Sequence, residues 1–266
     1  MIRLAAFDID RTLVSQMTGT VAPETAEALR ELRRRGVKTA IATGRQWQQV
    51  PRMLKALEFD YYILLNGTHI ADSKGNTLHK EAVSREDCDG LIEDIAGLDQ
   101  SLYLRFEQGM YPVLLKDRQI PFGMAIETIP PELLEGLLME SPLEDGDLPM
   151  AALGQITPEQ QTAIAKKYPH LDFLRVLGGK NCDINPKGIS KATGLKAICR
   201  IFDIPVEETI AFGDDINDLE IIRDAGIGVA MGDSLPEVAA VADYVTDTCD
   251  NFGVIKGLKH FGLLDE

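Results

Sequence analysis

The sequence is poor in the residue types that build disulfide scaffolds and zinc sites. Its 266 residues include one tryptophan and four histidines, and aromatic residues make up only 6%. The four cysteines form no Cys-x-x-Cys pair and are too sparse for a disulfide framework; they are Cys88, Cys182, Cys199 and Cys249. Because the histidines stand far apart along the chain, we do not expect a zinc site either.

Positive charge and long apolar runs are also scarce. The chain has 27 Lys and Arg against 42 Asp and Glu, so its net charge is −15. A phosphate-binding surface needs clustered basic residues, so nucleic acid and anionic membranes are not expected partners. No uncharged run reaches the roughly 18 residues of a membrane-spanning helix, and the first apolar run, which ends at Asp8, is too short for a signal peptide. We expect a cytoplasmic globular protein, monomeric by default, with oligomerisation left open.

The first 80 residues alternate between buried strands and amphipathic helices. The pattern predicts strands over residues 2–7, 37–42 and 61–65, and helices over 23–35 and 46–57. Such alternation is typical of parallel βαβ units with helices on both faces of the sheet. In sheets of this kind, functional residues collect in loops at the carboxyl ends of the strands.

The middle of the chain has a different pattern. We predict a helix over 85–97, strands near 101–106 and 111–116, and further helices and strands around 131–138, 150–156, 158–168 and 171–177. From 184 the alternation returns, with helices over 188–202, 216–224, 235–240 and 253–261 and strands over 209–212 and 227–231. The fold class is therefore predicted as an α/β core, residues 1–82 and 184–266, interrupted by an α+β insert at 83–183.

Two acidic loops follow predicted strands. Asp8 and Asp10 are spaced i, i+2, so on extended chain their side chains point the same way. Residues 213–218 hold three carboxylates within five positions, Asp214, Asp215 and Asp218. Such groups repel one another unless a cation is bound, and hard oxygen ligands favour Mg²⁺. Ordinary turns and an acidic helix N-terminus are the alternatives.

Two further loops carry groups suited to an anion. Thr43 and Gly44 combine a hydroxyl, close backbone approach and the exposed N–H groups of a helix start. Lys191 lies in the first turn of a helix predicted to begin at Gly188, where the helix dipole disfavours a cation. Either an anion lies near Lys191 or its side chain is simply solvated, and an ordinary threonine cap remains the alternative for Thr43.

Taken in this order, the four loops resemble the four motifs of the haloacid dehalogenase (HAD) superfamily, and within it the chain resembles the Cof-type phosphatases. The resemblance covers most of the chain and is carried by residues 8–13, 42–45, 66–67, 188–191, 213–218 and 228–232. It implies a Rossmann-like parallel-sheet core with an inserted C2-type cap domain. The cap would correspond to the insert at 83–183.

The resemblance also implies a catalytic set. Asp8 would be the nucleophile that forms an aspartyl-phosphate, and Asp10 would be the general acid and base. Mg²⁺ would be held by Asp8, the backbone carbonyl of Asp10 and Asp214, with Asp218 behind these ligands. Phosphate or substrate binding would fall to Thr43, Gly44, Lys191, Asn217 and Arg45. For Asn217, orientation of Asp214 is the alternative role, and for Arg45 plain loop hydrogen bonding.

Two residues depart from the Cof pattern. Arg11 stands where glycine is usual, and its side chain would either reach the mouth of the site or remain solvated. Asp215 also stands where glycine is common, and we predict that it points outward. Lys187 is a rival for the role of Lys191, but the spacing from Gly188 favours Lys191.

The function implied is a Mg²⁺-dependent phosphatase of small phosphorylated metabolites, such as sugar phosphates or phosphorylated cofactors. An insert of about a hundred residues that closes over the site would exclude macromolecules and bulk water. A sugar phosphomutase of the same architecture and a non-catalytic phosphometabolite-binding module are the alternatives. Every chemically essential position is filled, which argues against the binding module.

Overall fold

The computed structural model describes residues 1–114, 136–176 and 181–265. The chain divides into two compact units, the first formed by residues 1–45, 50–79 and 189–266 and the second by residues 46–49 and 80–188. Parts of three predicted elements, at 115–116, 131–135 and 177, lie outside the described residues. No helix in the described ranges is long and apolar enough to cross a bilayer. The four cysteines are free thiols.

The strands and helices are numbered in chain order. The strands are β1 (Leu4–Phe7), β2 (Lys38–Ala42), β3 (Tyr61–Leu64), β4 (His69–Asp72), β5 (Thr77–Lys80), β6 (Leu102–Arg105), β7 (Met110–Leu114), β8 (Ala151–Gly154), β9 (Leu171–Val176), β10 (Asn181–Pro186), β11 (Thr209–Gly213), β12 (Ile227–Ala230) and β13 (Tyr244–Val245). The α-helices are α1 (Pro23–Arg34), α2 (Arg52–Lys55), α3 (Arg85–Ala96), α4 (Pro158–Ala165), α5 (Lys191–Phe202), α6 (Leu219–Asp224), α7 (Pro236–Ala239) and α8 (Gly253–His260).

The first unit is built on an eight-stranded sheet of order β13-β12-β11-β1-β2-β3-β4-β5. Pairings from β13 to β3 are parallel, and β4 returns antiparallel to β3. The chain runs outward from β1 in both directions, to β2 and β3 on one side and to β11, β12 and β13 on the other. The strand order therefore reverses between β1 and β11, which is where ligands bind in open α/β sheets. The predicted α/β fold class is confirmed.

The second unit contains a five-stranded antiparallel sheet of order β7-β6-β8-β10-β9. Alternate strand residues, among them Leu102, Leu104 and Ile184, pack in one apolar cluster with Leu91 of α3 and Ile164 of α4. The helices therefore cover one face of this sheet. The predicted α+β character of the insert agrees with this arrangement.

The predicted helix over residues 46–57 is wrong. The chain forms a 3₁₀ turn at Trp47–Gln49 and then the four-residue helix α2 (Arg52–Lys55). Pro51 separates the two, with an extended ψ of 136°. Proline has no N–H for the helical ladder and also forces the residue before it out of the helical region.

Two boundaries after the insert also differ from expectation. Helix α5 begins at Lys191 rather than at Gly188, because Gly188 takes a left-handed φ of 75° and Ser190 is extended. Strand β10 (Asn181–Pro186) crosses residue 184, at which we expected the α/β alternation to return. This strand, and the two-residue β13, were not predicted.

Candidate active site

Asp8 directly follows β1, at the carboxyl end of the sheet and at the point where the strand order reverses. The backbone N–H of Asp8 donates to the carbonyl of Phe212 at 3.0 Å, which continues the pairing of β1 with β11. The side chain is buried, and its Oδ1 accepts a hydrogen bond from Lys191 Nζ at 2.6 Å. Burial raises the pKa of Asp8 well above its usual value, the charges of Asp218 and Asp214 add to this, and Lys191 opposes it.

Lys191 is completely buried between two carboxylates. Its Nζ lies 2.6 Å from Asp8 Oδ1 and 2.6 Å from Asp218 Oδ1, and none of its side chain is exposed. Burial by itself would lower the pKa of Lys191, but the charges and hydrogen bonds of Asp218 and Asp8 outweigh it and raise the pKa. Of the two possibilities for Lys191, a nearby anion or a solvated side chain, the structure shows the first. Lys187 instead donates to the carbonyl of Pro169.

Asp218 fixes the acidic loop that follows β11. While its Oδ1 pairs with Lys191, its Oδ2 accepts hydrogen bonds from the backbone N–H groups of Asp214 (3.0 Å) and Asp215 (3.1 Å). A Cβ at Gly213 would lie 2.4 Å from Asp218 Cγ, so only glycine fits there. Both oxygens of Asp218 are committed to these contacts, which suits it to holding the loop rather than binding an ion.

Asp214 is buried, with two partners from the loop after β1. Thr12 Oγ1 donates to Asp214 Oδ1 at 3.2 Å, and Arg11 Nη1 lies 3.2 Å from Asp214 Oδ2. Burial raises the pKa of Asp214 to about 7, the charge of Asp218 adds to the rise, and Arg11 opposes it. The sequence pattern predicts no role for Thr12, which is marked only by its position two residues after Asp10.

The donor set fits a hard divalent cation. One carboxylate oxygen from each of Asp8, Asp214 and Asp218 lies within 4.8 Å of the others, and all three residues are buried. Carboxylate oxygens at this density, with no sulfur or imidazole among them, suit Mg²⁺ better than zinc or copper. Asp8 uses one oxygen in its contact with Lys191, whereas both oxygens of Asp214 and of Asp218 have partners within the protein.

The side chain of Arg11 reaches the acidic group of the site rather than remaining solvated. Its φ of 63° lies in the left-handed region, which explains why glycine would be the ordinary residue there. The guanidinium is ion-paired with Asp214 and with Asp233, whose Oδ2 lies 3.0 Å from Arg11 Nη2. Asp215 is exposed and caps the following 3₁₀ turn by accepting from the N–H of Ile216 at 2.7 Å, so it points outward as predicted.

Arg45 contacts the second aspartate of the first loop. Its Nη2 lies 2.8 Å from Asp10 Oδ1 and its Nε 3.1 Å from Asp10 Oδ2, so the guanidinium binds the carboxylate through two nitrogens. Such a fork fixes the plane of the carboxylate as well as its distance. The Asp10 side chain is 54% exposed, in contrast to buried Asp8.

Asn66 links the Thr43–Gly44 loop to the acidic loop. Its side-chain Oδ1 accepts a hydrogen bond from Asn217 Nδ2 at 3.0 Å, and a Cβ at Gly44 would lie only 3.2 Å from the same oxygen. Asn66 is buried, and its φ of 54° is one that asparagine adopts more readily than most residues. Thr43 is buried in the same loop, and its Oγ1 accepts from the N–H of Arg45.

The chain belongs to the haloacid dehalogenase-like hydrolases, whose family pattern it matches over residues 5–258. The motif resemblance is thereby confirmed. A 5-amino-6-(5-phospho-D-ribitylamino)uracil phosphatase from Bacillus subtilis is 26% identical over 98% of this chain and 96% of its own. A putative phosphatase from the same organism is 28% identical over 98% of each chain.

Solved structures give the same result. A HAD superfamily phosphatase from Bacteroides thetaiotaomicron has a TM-score of 0.84 and 30% identity, covering 99% of this chain and 96% of its own. A HAD subclass IIB sugar phosphatase has the same score and identity, covering 98% of this chain and all of its own. The protein is therefore an enzyme of the HAD phosphatase class.

Substitution of Lys191 tests how the cluster is held. Lys191→Met keeps the apolar stem but leaves Asp8 and Asp218 buried without their shared cation. Removing one partner of a buried ion pair typically costs about 3–5 kcal/mol, and we expect a loss of this size in the free energy of unfolding of the first unit, measured by urea denaturation. Lys187→Met is the matched control and should change it by less than about 1 kcal/mol. Equal losses of unfolding free energy in the two variants would show that the buried contacts of Lys191 contribute no more to stability than an exposed lysine does.

Proposed function

We propose that the protein is a Mg²⁺-dependent phosphatase that hydrolyses small phosphorylated metabolites through an aspartyl-phosphate on Asp8. The observation that carries the proposal is the buried group of Asp8, Lys191, Asp214 and Asp218 at the strand-order reversal of the sheet. A lysine held on Asp8 and two further carboxylates support the roles that the motif resemblance implies for these residues.

In the first half-reaction, a carboxylate oxygen of Asp8 attacks the phosphorus of the monoester. The bond from phosphorus to the alcohol oxygen breaks, and the Asp10 carboxyl gives its proton to that leaving oxygen. In the second half-reaction, the oxygen of a water molecule attacks the same phosphorus while the Asp10 carboxylate takes a proton from that water. The bond to Asp8 then breaks, which restores the carboxylate and releases inorganic phosphate.

Other residues of the first unit stabilise the negative charge and position the reacting groups during both steps. Lys191 offsets the negative charge that gathers at Asp8 and the phosphoryl oxygens. Thr43 and the N–H of Gly44 donate to phosphoryl oxygens, with Asn217 as a further contact held by Asn66. Arg45 orients the carboxyl of Asp10 through its two-nitrogen contact, and substrate contact by Arg45 stays a prediction.

Mg²⁺ would be held by Asp8, Asp214 and the backbone carbonyl of Asp10, and when bound it supplies the positive charge that lets an anionic nucleophile meet an anionic ester. Asp218 supports this set from behind by fixing the N–H groups of Asp214 and Asp215. Asp215, which is exposed, takes no part.

We propose that the first unit, predicted from the sequence as residues 1–82 and 184–266, is the catalytic core, and that the second unit, predicted as residues 83–183, is a C2-type cap that supplies specificity. The substrate class rests on the relatives, since one acts on a phosphorylated ribitylamino compound and another is described as a sugar phosphatase. A small phosphorylated metabolite with a polar leaving group is the partner these similarities favour.

Phosphate release tests the nucleophile. Wild-type protein with Mg²⁺ should release phosphate from members of a panel of phosphorylated metabolites, and Asp8→Asn should lower the rate at least about a thousandfold because an amide cannot attack phosphorus. Asp215→Asn, an exposed aspartate of the acidic loop, is the matched control and should retain activity within a few-fold. Conversion of sugar-phosphate isomers without phosphate release would favour a phosphomutase instead.

Thermal unfolding tests the metal site without relying on turnover. Mg²⁺ at a hundred times its dissociation constant stabilises the folded state by about 2.7 kcal/mol, which in a chain of this size raises Tm by several degrees. The rise should be reversed by EDTA, be absent in Asp214→Asn and persist in Asp215→Asn. Sodium chloride at matched ionic strength is the control for screening. A rise of equal size in Asp214→Asn would contradict the assignment.

A further inference from the structure

Arg11 lies between two carboxylates of the first unit, and its contacts with them are unequal in number. One nitrogen, Nη1, lies 3.2 Å from Asp214 Oδ2. Asp233 makes three contacts: its Oδ2 lies 3.0 Å from Nη2 and accepts from Nε at 3.3 Å, and its backbone carbonyl also accepts from Nη2. The guanidinium is therefore held mainly by Asp233, with one nitrogen on Asp214.

Backbone hydrogen bonds fix the loops that carry these three residues. The N–H of Leu235 donates to the carbonyl of Asp214 at 2.9 Å, which ties the loop that carries Asp233 to the acidic loop after β11. In the loop after β1, the N–H of Arg11 donates to the carbonyl of Val14 at 3.0 Å. The contact between Arg11 and Asp214 can therefore break by rotation of the arginine side chain, without a change in either loop.

The two carboxylates differ in their exposure to solvent. The side chain of Asp214 is 3% exposed and that of Asp233 is 42% exposed, while Arg11 between them is 27% exposed. A buried carboxylate is costly to leave without a cation, whereas an exposed one is solvated by water. Arg11 thus supplies the positive charge that Asp214 needs, and Asp233 keeps the guanidinium within reach.

Arg11 and Mg²⁺ require the same carboxylate. Asp214 Oδ1 accepts from Thr12 at 3.2 Å and Oδ2 faces Arg11, so both oxygens already have partners. Mg²⁺ binds carboxylate oxygens at about 2.0–2.1 Å, and two positive charges this close to one buried carboxylate repel each other. The hydroxyl of Thr12 is neutral and does not add to the repulsion. The guanidinium is therefore the partner that conflicts with a metal ion.

We propose that Arg11 is a built-in counter-ion of Asp214 that Mg²⁺ must displace, with Asp233 as the carboxylate that retains the released guanidinium. This inference rests on the proposed Mg²⁺-dependent function and adds the residues that set the affinity for the metal. Arg11 keeps Asp214 paired and in position until the ion binds, and for the same reason it weakens Mg²⁺ binding. Asp233 limits this weakening, because the displaced arginine keeps a partner.

Calorimetry with MgCl₂ as the only ligand tests the competition. Arg11→Gln keeps a polar side chain on the same backbone and removes the positive charge. Its dissociation constant for Mg²⁺ should be at least about fivefold lower than that of wild type, the lower end of typical coupling between two sites. Arg11→Gly should show the same change and replaces the first variant if that folds poorly, because glycine adopts the left-handed φ of 63° without strain.

Arg35→Gln is the matched control for loss of charge. Arg35 also bridges two carboxylates of the first unit, Glu31 at 2.8 Å and Asp265 at 2.5 Å. It precedes the amino end of β2, whereas the acidic loops follow the carboxyl ends of the strands. Because salt screens charges at this separation, its Mg²⁺ dissociation constant should stay within about twofold of wild type. A fall as large as in Arg11→Gln would show an effect of net charge and overturn the proposal.

Asp233→Asn tests the carboxylate that retains the arginine. The displaced guanidinium then loses its second partner, so the dissociation constant for Mg²⁺ should rise at least about twofold, the lower bound of coupling between neighbouring residues. In the Arg11→Gln background the same substitution should have a smaller effect, because no guanidinium is left to be retained. Equal effects in the two backgrounds would contradict the role given to Asp233.

Thermal unfolding separates competition from a purely structural role of Arg11. In EDTA, Arg11→Gln should have a lower Tm than wild type, because Asp214 has lost its counter-ion. Saturating Mg²⁺ should remove most of this difference, because the ion then takes the place of the arginine. An equal loss of Tm with and without Mg²⁺ would give Arg11 a structural role only and overturn the proposal.

The same measurements distinguish this inference from the proposed function. If Asp214→Asn abolishes Mg²⁺ binding and both Arg11 variants bind like wild type, the metal site stands and the competition fails. If none of the proteins binds Mg²⁺, the metal site and the competition fail together. Tighter Mg²⁺ binding by the Arg11 variants supports the competition even if no substrate is hydrolysed, and then only the phosphatase function fails.

Discussion

The buried acidic group of the first unit depends on one contact, the ammonium of Lys191. It joins the first residue of α5 to Asp8 after β1 and to Asp218 after β11, at 2.6 Å in each case. Desolvation of two charges is costly, and only close, hydrogen-bonded geometry offsets it. The same contact orients Asp8, the proposed nucleophile, because its Oδ1 is held by Lys191 while its other oxygen is left for the proposed attack.

The cluster remains anionic after Lys191 is counted, and this excess is what suits it to a divalent cation. Three buried carboxylates surround one lysine, and Arg11 reaches Asp214 from the side with Asp233 as its second partner. Arg11 has a left-handed backbone conformation that glycine would adopt without strain. Unlike glycine, it forms an ion pair with Asp214, the expected metal ligand. The strand-order reversal between β1 and β11 brings all of these groups to one place.

The core strands, the parallel class of the sheet and the four motif loops could be predicted because each depends on local pattern: apolar runs, spacing and polar residues at strand ends. The contacts of individual side chains could not. Nothing near Arg45 or Arg11 in the sequence indicates that they pair with Asp10 and Asp214, since these pairs are set by the packing of separate loops. The prediction of a helix over residues 46–57 was wrong for a reason visible in the sequence, because Pro51 interrupts the helix. Strand β10 was not predicted because the boundary of the insert was placed within it, at residue 184.

In the proposed reaction, Asp8 carries the phosphoryl group during turnover. Wild-type protein and Asp10→Asn are mixed with Mg²⁺ and p-nitrophenyl phosphate, whose leaving group departs without a proton from Asp10. They are quenched in acid within the first turnovers and treated with borohydride, which reduces an acyl-phosphate to an alcohol. Peptide mass spectrometry should then find the reduced side chain at residue 8, and more of it in Asp10→Asn, where removal of the base slows hydrolysis of the intermediate. Phosphate release with no reduced Asp8 in either protein, or with the modification at another residue, would contradict the account.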